Sequence, residues 1–178
     1  VAAYLSGIRV FTPEVRRDNR GFFFQSYDEK VAEYIDEIFV QDNHSYSHKN
    51  VIRGMHYQWE QPMGKLVRAV HGSAMDYLVD IRKESPTFGQ FSSILISAEN
   101  NKMVWIPPGF AHGFESLEDD TIILYKCTSY YNKKGESGIN PFDESINIPW
   151  LTLRNKMIVS DKDLASQMFI DYSLDPKF

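Results

Sequence analysis

Several things that would each open a class of function are scarce in this sequence. A single cysteine, Cys127, stands among 178 residues, so no internal disulfide can form, and the count fits a reducing cytoplasm. No apolar run approaches the length of a membrane span, and the chain as given opens without a signal-peptide pattern. A cytoplasmic protein without a membrane partner is the expectation. Basic residues are outnumbered, 19 Lys and Arg against 24 Asp and Glu, for a formal charge of −5. That balance argues against a nucleic-acid partner, which needs a concentrated basic patch. A few well-placed arginines still suffice for a small anionic ligand. Internal repeats, low-complexity tracts and linkers are missing too. One domain over residues 1–178 is the simplest organisation, and it is long enough to bury a core.

What remains is an aromatic-rich chain, with twelve Phe and ten Tyr in a sequence that is 43% hydrophobic and 24% charged. Such a composition suits a globular protein built on strands. Short segments rich in aromatic and β-branched residues predict strands at 21–27, 39–47, 65–71, 75–82, 91–97, 103–106 and 121–131. Apolar residues at Val31, Tyr34, Ile35 and Ile38 predict a helix over 28–38, with Asp28 as its N-cap. A second short helix is expected to open at Ser160. Many closely spaced strands with few helices point to an all-β fold, a jelly-roll barrel with short flanking helices. Side chains alternate along a strand. Lys65, Val67, Ala69 and His71 therefore share one face, and Tyr125, Cys127, Ser129 and Tyr131 another. Which faces point inward is open at this level.

The chemistry concentrates in two glycine-punctuated segments. Arg53-Gly54-Met55-His56-Tyr57-Gln58 and Pro107-Pro108-Gly109-Phe110-Ala111-His112-Gly113-Phe114 each carry one histidine. A metal-binding barrel would carry its ligands in such segments, and a metal needs three or four converging donors. Here His56 is followed two residues later by Gln58, and the residue four past His112 is Ser116. Two isolated histidines with amide and hydroxyl neighbours make a poor cage, and proton transfer without a metal or other cofactor is the expectation. On spacing alone, a lone histidine is more often structural than catalytic.

Eight stretches in order carry a resemblance. They are Asp18–Phe23, Gln41–Ser47, Arg53–Gln58, Gly64–Val67, Val79–Gly89, Pro108–Phe114, Leu124–Lys126 and Ser160–Asp163. With them the chain resembles the dTDP-4-dehydrorhamnose 3,5-epimerase family, which are cupin-fold sugar-nucleotide epimerases. The resemblance implies a cupin jelly roll that inverts C3, C5 or both in a nucleotide-linked 4-keto-6-deoxyhexose, with dTDP as the expected nucleotide. Such an isomerase serves deoxysugar and cell-surface polysaccharide biosynthesis.

By the same resemblance His56 is the base that takes a proton next to the C4 ketone, a role for which imidazole is well matched. Asp163 is the carboxylate that orients it, Lys65 stabilises the enolate, and Tyr125 is the acid on the opposite face. Without the resemblance, a helix-terminal charge, a surface lysine and an ordinary strand aromatic would be the plain readings of those three residues. Arg20 and Arg53 are expected to hold the diphosphate and Gln41 and Asn43 the nucleoside, while His112 is expected to support the catalytic base or the sugar, with a purely structural role as the alternative. Tyr131 matches an aromatic packed near the nucleotide base. The segment with Arg20 is expected to reach a neighbouring subunit's site, which implies a homodimer.

Two stretches depart from the family pattern. Gln25 stands where the thymine-contacting segment usually has glutamate, and Asn140-Pro141-Phe142-Asp143 replaces a tryptophan-containing stretch. Both leave nucleotide and carbon choice open. The alternatives are a single-carbon epimerase or keto-sugar isomerase of the same family, a metal-dependent cupin enzyme, and a non-catalytic sugar-nucleotide-binding cupin. The joint retention of His56, Asp163, Lys65 and Tyr125 disfavours the last.

Overall fold

A computed structural model describes residues 4–178. Two antiparallel sheets face each other across the core. The first has the strand order β1 (Arg9–Phe11), β9 (Met103–Ile106), β6 (Lys65–His71), β11 (Thr121–Cys127), β4 (Gln41–Ser47). The second runs β12 (Glu136–Gly138), β5 (Val51–Gln58), β10 (Phe110–Ser116), β7 (Ser73–Asp80), β8 (Phe91–Ser97), with β13 (Ile158–Val159) added in parallel to β5. A hairpin of β2 (Arg16–Asp18) and β3 (Gly21–Phe23) pairs only with itself. The helices are α1 (Glu29–Ile35), α2 (Asp161–Leu164) and α3 (Phe169–Leu174). This is the jelly-roll barrel anticipated from strand density, and no helix among the described residues is long and apolar enough to cross a membrane.

Period-2 alternation divides the apolar residues into three clusters. Val67, Ala69 and Ile123 of the first sheet meet Ala74, Leu78, Ile94 and Ile96 of the second to form the barrel interior. Lys65 therefore points inward with Val67 and Ala69. Leu66 points outward and packs with Met103, Trp105 and Ile35 beneath α1. The outer face of the second sheet, including Met55, Tyr57, Tyr77 and Val79, is roofed by Ile139, Ile146, Ile148 and Tyr172. His56 lies between Met55 and Tyr57 in β5, so its side chain takes the opposite face and enters the barrel.

Strands at 65–71, 91–97 and 103–106 fall where the sequence predicts them. Other boundaries move for identifiable reasons. The segment predicted as 121–131 is strand only to Cys127. Beyond it, Gln58 Nε2 bonds the Tyr130 carbonyl at 3.1 Å and Gln58 Oε1 accepts the Asn132 amide at 2.8 Å, which draws the chain into a loop. Ser129 and Tyr131 consequently do not share a strand face with Tyr125. The segment at 21–27 is strand only to Phe23, 39–47 starts at Gln41, and 75–82 is shifted to Ser73–Asp80. Asp28 caps α1 as expected, accepting from the Val31 amide at 3.0 Å. The helix ends at Ile35, three residues early, because Asp36 turns left-handed at φ 58°. The C-terminal α3 is not anticipated by apolar periodicity. It forms around Tyr172, whose hydroxyl donates to the buried Ile81 carbonyl at 2.7 Å.

Candidate active site

The two histidine segments are neighbouring strands, and their glycines let them approach. A Cβ on Gly54 would sit 2.5 Å from the Gly113 Cα, and one on Gly113 would sit 2.7 Å from the Arg53 carbonyl oxygen. His56 and His112 are register partners across this β5–β10 pair, which is irregular between His112 and Phe114. Arg53 and His56, three residues apart, both border a hollow of about 450 Å3 that also touches Asp163 and Lys162. Beside it, a smaller hollow of about 80 Å3 is lined by His56, Lys65, Tyr125, Tyr131 and Glu136, with Gln41 and Asn43. His56 is common to both.

His56 Nε2 lies 2.6 Å from Asp163 Oδ1. An ionised carboxylate only accepts hydrogen bonds, so Nε2 carries the hydrogen and Nδ1 is left as the basic nitrogen. Asp163 is fixed from several sides. Its Oδ2 accepts the Gly54 amide at 3.1 Å, and its own amide donates to the Ser160 N-cap hydroxyl at 3.1 Å. Burial pushes the Asp163 carboxyl up, but the bonds from His56, Gly54 and Ser160 outweigh it and hold the group below the usual carboxylate range. The imidazole is only partly covered, its side chain being 30% exposed. It is oriented by a buried group yet accessible from the hollow.

Lys65 and Tyr125 come from the other sheet. Burial lowers the Lys65 ammonium from its ordinary value, opposed by Cys127, Asp76 and Glu136. Burial raises the Tyr125 phenol, so it is protonated at neutral pH and able to donate. His56 on one sheet thus faces Lys65 and Tyr125 on the other. A ligand between them is approached from two sides.

The remaining sequence candidates divide into two groups. Arg53 donates to the Ser47 hydroxyl at 3.1 Å and the Tyr46 carbonyl at 3.0 Å, with no carboxylate partner among the described residues, so its charge is available to an anion. Gln41 accepts the Tyr131 amide at 2.9 Å and donates to Asn43 at 2.9 Å, placing all three at the mouth. Arg20 and Gln25 are not brought to His56. Arg20 is in the β2–β3 hairpin, paired with Asp18 at 2.5 Å, and Gln25 lies beside Phe11 and Arg16. His112 does not open into either hollow. It is 7% exposed, lies beneath, and has Nε2 2.6 Å from Asp76 Oδ1. Burial lowers its basicity, with Lys65 and His56 adding to the effect against Asp76.

Three residues escape the sequence reading. Glu136 takes the Tyr131 hydroxyl at 3.0 Å and the Lys162 ammonium at 2.7 Å, bracing the rim. Neither carries a signal that marks it out among neighbouring charges. Asp76 was findable: it is an acid on the same strand face as the apolar Ala74 and Leu78. The Asn140–Asp143 stretch lies away from the cavity. Asn140 instead bonds the Leu164 and Gln167 carbonyls, tying down α2, which carries Asp163.

The donor set does not fit a metal. Both histidines commit Nε2 to a carboxylate, and Gln58 is spent on the 130–132 loop. Among the described residues no group of three His, Cys, Asp or Glu is placed to hold an ion.

Comparison with known proteins adds an independent line. A family model described as dTDP-4-dehydrorhamnose 3,5-epimerase matches residues 2–171. A protein of that description from Shigella flexneri is 49% identical over 168 residues, covering 92% of each chain. Among solved structures, a dTDP-6-deoxy-D-glucose-3,5-epimerase of Legionella pneumophila in complex with dTDP-4-keto-L-rhamnose is similar with a TM-score of 0.89 and 41% identity, covering 96% of this chain and 93% of that one. A 3'-monoepimerase of Streptomyces bikiniensis in complex with dTDP-quinovose is similar with a TM-score of 0.90 and 29% identity, covering 96% and 87%.

Proposed function

The chain belongs to the dTDP-4-dehydrorhamnose 3,5-epimerase family and is an epimerase, and from that premise we propose that it inverts C3, C5 or both in a dTDP-linked 4-keto-6-deoxyhexose. The observation that carries this reading is the opposition of His56, held by Asp163 of α2, on one sheet to Lys65 and Tyr125 on the other. His56 Nδ1 takes the proton from the carbon next to the ketone, and Asp163 stabilises the imidazolium that results. The electron pair moves onto the ketone oxygen, where the Lys65 ammonium meets the developing charge. Tyr125 then delivers a proton from the other side. Substrate and product are isomers, so the step needs no electron or hydride donor.

Arg53 binds the diphosphate, Gln41 and Asn43 the nucleoside, and Tyr131 packs by the base, while His112 supports the sugar side from beneath. Arg20 and Gln25 act in the site of a second copy. The support for a homodimer is the β2–β3 hairpin, which pairs only with itself and leaves Phe22 and Phe23 55% and 66% exposed. A cytoplasmic setting is part of the reading, supported by the lone buried thiol of Cys127.

Incubation with dTDP-4-keto-6-deoxyglucose in D2O, followed by NMR, tests the reading. Deuterium at C3, C5 or both is the expected result, and deuterium at neither carbon sinks it. Incorporation at C3 alone would select the single-carbon alternative, the kind of activity named for the Streptomyces bikiniensis 3'-monoepimerase, to which the chain is 29% identical.

A further inference from the structure

The inward face of β7 carries one carboxylate that the reaction above does not use. Asp76 lies between Ala74 and Leu78 and is fully buried. Its Oδ1 accepts from His112 at 2.6 Å, whereas Oδ2 has no partner, alone in this among buried side-chain nitrogens and oxygens of the described residues. Leaving a buried acceptor unsatisfied is costly and calls for a reason.

Lys65 presents the complementary problem. It lines the cavity, and its ammonium has no hydrogen-bond partner among the described residues. The titratable groups that face it are Cys127 and Tyr125 on β11, Asp76 on β7, Glu136 on β12, His56 on β5 and His112 on β10. Burial pushes the Cys127 thiol up to about 11, so it is neutral at working pH. The Tyr125 phenol is neutral as well, and neither histidine carries negative charge. Glu136 is committed to Lys162 and Tyr131. Asp76 is the carboxylate left with an oxygen free, its Oδ2.

We propose that Asp76 is a positioning residue for the enolate step, whose buried carboxylate keeps Lys65 an ammonium and holds His112 with its hydrogen on Nε2. The proposal rests on the role of Lys65 given above. Burial alone favours the neutral amine, and a nearby opposite charge reverses that preference. A neutral amine offers an enolate no positive charge. Losing Asp76 therefore moves the loss of Lys65's proton to lower pH.

The test is Asp76→Asn, read by the pH profile of solvent exchange and turnover. The alkaline limb should move down by about one pH unit or more, with the rate on its acid side within a few-fold of the wild type. A loss equal at every pH, with the limb unmoved, is what a merely structural role produces, and it overturns the proposal. The same change is read without turnover from the 13Cε resonance of Lys65, assigned by its loss in Lys65→Met. A Lys65 titration that shifts down in Asp76→Asn supports the proposal even if no epimerisation is found; an unshifted one overturns it. Should Asp76→Asn fail to fold, long-range 1H–15N spectra of the wild-type histidines decide. Hydrogen on His112 Nε2 supports the proposal, and the Nδ1–H tautomer overturns it.

Discussion

The barrel holds two His–Asp pairs side by side, drawn to the same 2.6 Å, with their histidines on neighbouring strands, yet they are fitted for different work. In the His56–Asp163 pair the imidazole is 30% exposed and both carboxylate oxygens are engaged. In the His112–Asp76 pair the imidazole is 8% exposed and one carboxylate oxygen is unpartnered. The first pair can exchange a proton with something in the hollow and return to its starting state, because only its histidine meets the outside. The second has no such access. Distance within a dyad therefore says little about its role; access to the ring and satisfaction of the acid say more.

The sharpest way to break this comparison is to remove each ring in turn. His56→Ala should abolish deuterium exchange at the reacting carbon, a loss of at least the ~10²–10⁴-fold typical of general acid–base catalysis. Tyr125→Phe should lower inversion by a similar ~10²–10⁴-fold while exchange persists, because the proton can return from the His56 side. Wild-type exchange in His56→Ala would undo the assignment of the base. Asp163→Asn should cost about 10²-fold in turnover, toward the lower end of that range, since His56 remains but is no longer held or stabilised as an imidazolium. It should also flatten acid denaturation. The folded Asp163 carboxyl titrates below its unfolded value, so its contribution is whole above the unfolded carboxylate range and fades as pH falls through the folded one.

For the buried pair the expectation is reversed. His112→Gln should cost about 1.5–3 kcal/mol of stability, the range for a hydrogen bond to a charged group, while solvent exchange stays within about tenfold of wild type. Urea melts and D2O exchange on the same protein check both halves. Asp80 supplies a control far from the chemistry. Burial pushes its carboxyl up, but Arg82, Ser85 and Thr87 win and bring it to about 2 from 3.8. That corresponds to about 2 kcal/mol of stability, present above the unfolded value near 3.8 and lost between there and about 2. Asp80→Asn should lower stability by up to that amount and leave exchange untouched.

How much of this was legible in advance depended on range. The caps at Asp28 and Ser160 and the strand at Lys65–His71 follow from local propensity and alternation, and the structure carries them as expected. Contacts distant in sequence moved the other boundaries. The strand beginning at Thr121 stops at Cys127 because Gln58, some seventy residues away in sequence, seizes the following loop through Tyr130 and Asn132. The sequence could mark Gln58 as a missing ligand, but not assign what it does instead.

The sequence by itself determined a strand-rich barrel, a broken metal set and a chain of motifs that name a family. These are properties of composition, period and order, and they survive without coordinates. Tertiary structure alone decided that Lys65 and Tyr125 face His56 from the opposite sheet, that His112 lies beneath the cavity, and that Asp76 has an oxygen without a partner. Each of those turns on which face of a strand meets which face of another. Alternation leaves two choices per strand, and only the packing of the two sheets chooses between them.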